Sequence, residues 1–189
     1  MATLELFQFQ RFDHGEADGQ HLWSVSMSIN DVPEPKRQLP YIRLASGLPW
    51  TEANTWLASR ACVPAEDLSA KTIIRDARGL VSYANFLEAN GLAWNDLDKP
   101  DSEKPTYLYK SHRNLNVKEG TGAYSTAQTE LRAVANFYIW CTSTGQLADE
   151  CKPFLTRTTQ VQVFTRFGSK TVEKTVSSMP LKRRRTAPR

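Results

Sequence analysis

Apolar residues recur at helical spacing along two long stretches of the chain and at alternate positions nearer its start. The first helical stretch runs from Ser69 to Asn90. There Ile73, Ile74, Ala77, Leu80, Val81, Ala84 and Leu87 follow i, i+1, i+4, i+7, i+8 spacing, which gathers them on one helix face. Asn90-Gly91 supplies the stop, because glycine accepts the left-handed conformation after a last turn. The second stretch, Ser125–Thr144, has Leu131, Val134, Ala135, Tyr138 and Cys141 as its core stripe. Ser125 is its expected cap and Gly145 its end.

Alternation dominates residues 1–48. Leu4, Leu6, Phe9 and Phe12 sit among polar neighbours, and Trp23, Val25, Met27 and Ile29 alternate with Ser24, Ser26 and Ser28. Gly15, Asp18 and Gly19 place turn chemistry over Asp13–Gln20, so the two runs predict a β-hairpin. Pro33, Pro35 and Pro40 predict a loop over Asp31–Pro40, followed by a third short strand at Tyr41–Leu44. Pro49–Cys62 reads as a helix with Thr51 as N-cap, stopped by Pro64.

The connector between the long helices divides into a loop at Asn95–Pro105, a short helix at Thr106–Asn116 and a Gly-containing loop at Val117–Gly122. After Pro153, Thr158–Phe167 alternates weakly enough to suggest a strand. The rest, rich in Gly, Ser, Thr and Lys, reads as an extended or disordered linker. The expected fold class is α+β: a small N-terminal β-hairpin region over 1–65, a mainly helical bundle over 66–150 and an extended basic linker over 151–189.

Charge changes this picture. Residues 1–100 carry 9 Lys+Arg against 13 Asp+Glu, whereas residues 152–189 carry 10 against one. The helical part, 69–151, is near neutral at 9 against 10, so docking of a polyanion on the helices requires charge sorted by face. Three cysteines at unrelated spacings and three histidines with no zinc-finger partner predict neither a disulfide framework nor a metal site. No apolar run reaches the ~18 residues of a membrane span. MATLELFQFQRF lacks the features of a secretory signal, and a cytoplasmic location is expected. No catalytic set and no cofactor motif is expected.

Candidate contact residues follow from exposed faces. Lys71, Arg75 and Arg78 lie opposite the apolar stripe of the first long helix, to meet base edges or phosphates, or else to form weak exposed ion pairs. Lys110, Arg113 and Lys118 lie in the connector. His112-Arg113 has no nucleophile or acid spaced to make it catalytic. The opening of the second long helix offers Ser125, Thr126, Gln128, Thr129 and Arg132, where free N–H groups favour phosphate, although plain capping is the simpler reading. Lys182, Arg183, Arg184 and Arg185 make a backbone-tracking arm or a solvated charge run. Trp56, Trp94 and Trp140 are expected to pack rather than to stack on bases.

KTIIRDARGLVSYANFLEANGLAWNDL (Lys71–Leu97) followed by YSTAQTELRAVANFYIWCTSTGQL (Tyr124–Leu147) resembles the SAM-like core-binding domain of tyrosine recombinases, the phage-integrase family. The likeness rests on Tyr83–Gly91 and on Ser125, Thr126, Leu131, Arg132, Phe137, Tyr138, Trp140 and Gly145, and covers about residues 69–150. It implies a small helical bundle that grips double-stranded DNA, with strand cleavage in a separate catalytic domain. That domain is expected to follow Arg189. Residues 1–65 depart from the family pattern. The implied function is that of the DNA-binding N-terminal portion of an integrase, acting by phosphate contacts and pairing with other recombinase protomers. The alternative is an interaction module of a truncated recombinase that modulates a full-length partner, using Phe7, Phe9, Trp23 and Ile29 as contact surface.

Overall fold

A computed structural model describes residues 1–8, 11–17, 20–27, 38–62, 69–148, 150–166 and 168–181, with fewer side chains described in the strands. The fold is α+β, with three two-stranded antiparallel sheets and four α-helices among the described residues. The chain divides into two compact units, Met1–Asn85 and Phe86–Arg189.

The first unit holds β1 (Thr3–Gln8), β2 (Arg11–Ala17), β3 (Gln20–Met27), β4 (Gln38–Arg43), α1 (Thr51–Cys62) and most of α2 (Ala70–Asn90). The expected single hairpin is replaced by two pairings. β2 pairs with β3 up to Ala17 and Gln20, so Asp13–Ala17, expected as turn, is strand. β1 pairs instead with β4, setting Leu4 opposite Ile42 and Leu6 opposite Pro40. Gln38–Pro40, expected as loop, is therefore also strand. Alternation identifies a strand and its faces but not its partner, and Pro40 is tolerated because every strand of a two-stranded sheet is an edge.

The β4 edge is closed by a side chain. The Asn54 carboxamide of α1 accepts from Ile42 N at 2.7 Å and donates to Ile42 O at 3.0 Å, completing the backbone of a fully buried residue. α1 starts with Trp50 as its half-in flanking residue, since Asn54 N donates to Trp50 O at 2.9 Å; Thr51 is thus the first helical residue, not the cap. Ala53, Trp56 and Leu57 bury its inner face, and Trp50 and Tyr83 meet at 6.3 Å.

α2 is capped one residue ahead of its start, with Thr72 N donating to Ser69 Oγ at 3.3 Å. It ends at Gly91 (φ 61°), where Gly91 N bonds Glu88 O at 3.3 Å and Leu92 N bonds Leu87 O at 2.9 Å. This paired 5→2 and 6→1 pattern is the Schellman stop that Asn90-Gly91 predicts.

The second unit holds the end of α2, a 3₁₀ turn at Asp101–Glu103, α3 (Pro105–Lys118), α4 (Tyr124–Ser143), β5 (Thr156–Thr165) and β6 (Gly168–Ser177). α3 opens with Pro105 at its first helical position, where a missing N–H costs nothing. α4 buries Ala127, Leu131, Ala133, Val134, Ala135, Phe137, Tyr138 and Cys141. At 3.6 residues per turn these cover about 200° of its circumference, wider than the expected single stripe. Trp94 packs on Phe137 and Tyr138 at 5.5 and 6.1 Å, and Tyr138 meets Phe154 edge-on at 6.3 Å.

The segment read as an extended linker contains a ten-residue by ten-residue hairpin, β5 with β6, closed where Thr165 faces Gly168. β6 was hidden by its Lys, Thr and Ser content, although Lys170, Val172, Lys174 and Val176 alternate with Thr171, Glu173 and Thr175. Among the described residues no helix is long and apolar enough to cross a membrane.

Candidate nucleic-acid interface

Lys71, Arg75 and Arg78 are all exposed, and with Ser82 they occupy i, i+4, i+7 and i+11 of α2, a single stripe without an acidic member. Among the described residues of α2, Asp76 is the carboxylate next to this stripe, and it is buried. Arg60 of α1 holds it at 3.2 Å while stacking over the Trp56 ring at 5.0 Å, and Arg75, 59% exposed, pairs with it at 3.8 Å. Burial pushes the Asp76 carboxyl above the usual range, against the pull of Arg60 and Arg75. Asp76 is therefore shared by a short contact to Arg60 and a longer one to the exposed Arg75.

In the second unit the expected contacts separate into two groups. Lys118, Ser125, Thr126 and Arg132 are exposed and Thr129 is half-buried. Ser125, Thr129, Arg132 and Asn136 follow one stripe of α4 that carries a single cation. Ser125 is not the cap: Ala123 holds that position and no side chain caps the helix, so Ser125 and Thr126 lie within the first turn beside uncapped N–H groups.

Arg113, Lys110 and Gln128 require correction, because each serves internal structure. Arg113 Nη2 is 2.7 Å from Glu130 Oε2 across α3 and α4, with both side chains 14% exposed. Lys110 Nζ donates to Ser178 O, and Gln128 Oε1 accepts from Leu181 N at 2.9 Å. Sequence spacing cannot distinguish an exposed cation from one turned onto a neighbouring segment.

Lys110 and Gln128 belong to a clamp that sequence reading missed. Thr106 donates to Pro153 O, and Lys104 Nζ donates to Lys152 O at 2.9 Å and to Asp101 Oδ1 at 2.9 Å. The Tyr107 hydroxyl accepts from Leu155 N at 3.1 Å and lies 3.3 Å from Ser178 Oγ, while the Tyr124 hydroxyl donates to Leu181 O at 3.0 Å. Phe154, Met179 and Leu181 are buried beside them. Both ends of the β5–β6 hairpin are thereby fastened to α3 and α4.

Among the described side chains of the hairpin, Thr156–Gln160, Gln162, Ser169 and Thr171 are exposed, and Ser177 at its root is half-buried. The tail cluster Lys182, Arg183, Arg184 and Arg185 lies outside the described residues, as do Phe9 and Ile29; the side chains of Phe7 and Trp23 are likewise not described. Among the described residues no group of His, Cys, Asp and Glu could hold a metal ion. No protein-family model, curated protein or solved structure matches this chain.

Proposed function

We propose that the chain binds double-stranded DNA through phosphate contacts, as the DNA-gripping portion of a tyrosine recombinase or integrase. The observation that carries this reading is the exposed Lys71–Arg75–Arg78 stripe, in which Arg75 stays 59% exposed beside the buried Asp76. Arg132, Ser125 and Thr126 at the uncapped start of α4 add a second patch of phosphate-directed groups. The recombinase assignment is supported by the motifs in Lys71–Leu97 and Tyr124–Leu147. Lys110, Arg113 and Gln128 are left out of the contact set. Free thiols at Cys141 and Cys151 suit a reducing cytoplasm, where such a protein meets the nucleoid.

The test is titration of the full chain onto a labelled duplex at several KCl concentrations. Each neutralised phosphate contributes about −0.9 to the slope of log affinity against log salt. Changing Lys71, Arg75 and Arg78 together to Gln is expected to make that slope shallower by about 3. Binding that ignores salt, or no binding to any duplex, ends the reading.

A further inference from the structure

We infer that the β5–β6 hairpin is a second DNA-contacting element, a rooted two-stranded ribbon whose Arg157/Lys170/Lys174 face lies against the backbone of a duplex. The inference rests on the proposed DNA-binding function and adds a surface to it.

Register sorts the charges. Residues directly opposite in an antiparallel pair share a face, and faces alternate along each strand. Arg157 opposite Val176, Thr159 opposite Lys174, Val161 opposite Val172 and Val163 opposite Lys170 therefore occupy one face. Thr158 with Thr175, Gln160 with Glu173, Gln162 with Thr171 and Phe164 with Ser169 occupy the other. All three strand cations fall on the first face and the hairpin's single acid on the second. Arg166, exposed in the turn, adds a cation at the tip. Between its three cations this face carries Val161, Val163, Val172 and Val176 and no carboxylate position, so its charge is of one sign and favours a polyanion.

Shape agrees with charge. Ten residues per strand at about 3.4 Å each give a ribbon of about 34 Å, the length of one duplex turn. Two strands are also the width the major groove admits. An isolated hairpin is marginal in water, yet this one is fastened at both ends by Thr106, Lys104, Lys110, Tyr124 and Gln128. Among the described side chains, Arg157 and Thr159 on one face and Thr158, Gln160, Gln162, Ser169 and Thr171 on the other are exposed.

The experiment compares four full-length proteins on a 30-bp duplex across KCl concentrations: wild type, R157Q/K170Q/K174Q, the charge-retaining R157K/K170R/K174R, and the opposite-face control Q160A/Q162A. The Gln triple is expected to make the salt slope shallower by about 3, while the charge-retaining triple and the control keep the wild-type slope. An unchanged slope in the Gln triple overturns the inference, as does an equal loss in the opposite-face control. Loss of self-association in sedimentation by the Gln triple, with its salt slope intact, also overturns it and makes the ribbon a protein-docking surface. The K71Q/R75Q/R78Q variant separates the two readings. If it binds as wild type while the hairpin triple loses slope, the α2 stripe fails and the ribbon stands; the reverse pattern sinks the ribbon alone. A wild type that binds no duplex sinks both.

Discussion

Arg113 and Glu130 join α3 to α4 through a 2.7 Å contact, and the Tyr109 hydroxyl donates to the same carboxylate oxygen at 3.2 Å. A cation so placed cannot reach a phosphate without abandoning a shielded partner. Arg113→Ala is expected to lower stability by about 3 kcal/mol in urea unfolding, because Glu130 is left charged and mostly enclosed. The salt slope of DNA binding should stay unchanged. A stability loss below about 1 kcal/mol together with a shallower slope would return Arg113 to the contact set.

Arg132 gives the opposite expectation. It is exposed on the α4 stripe. Arg132→Ala should leave urea unfolding within about 0.5 kcal/mol of wild type and make the salt slope shallower by about 1.

Gly91 and Gly145 end α2 and α4 in the left-handed region, at φ 61° and 72°, with nothing within 4 Å of where a Cβ would stand. Alanine at either site meets no clash, so its cost is backbone strain alone, about 1–2 kcal/mol. Thermal or urea unfolding of each single variant measures it.

The hairpin root can be loosened without touching the ribbon. Lys110→Ala removes the donor to Ser178 O, and Gln128→Ala removes the acceptor for Leu181 N. Both are expected to raise the rate of limited proteolysis within 156–177 while the far-UV helical signal is retained. An unaltered cleavage rate in both would show that Phe154, Met179 and Leu181 alone hold the root.

Two carboxylates in the first unit predict opposite pH effects. The Arg43 guanidinium beside Glu5 holds that carboxyl below its usual value. Stability from Glu5 is therefore present above the unfolded-state pKa and is lost as pH falls through the lower folded one. Asp76 is raised by burial, so its contribution is greatest in acid and is lost as pH rises through the folded pKa. In denaturant titrations between about pH 3 and 7, wild type should gain on Glu5→Gln as pH rises, and Asp76→Asn should gain on wild type.

Helical spacing and glycine stops made α2 and α4 readable almost to their ends, because a helix is closed by bonds between near neighbours in the chain. Strand partners were not readable: Leu4 alternates identically whether it faces β3 or β4, and the choice of Ile42 came from burial against α1 and from Asn54 completing that residue's backbone. Lys71, Arg75 and Arg78 were identified as one face from their spacing alone. Which cations are turned onto a partner depended on distant residues, Glu130 for Arg113 and Ser178 for Lys110. The charge-sorted ribbon needed the register of β5 on β6, which sets Lys174 opposite Thr159. Local bonding is written in consecutive residues, whereas pairing and burial are settled between segments many residues apart.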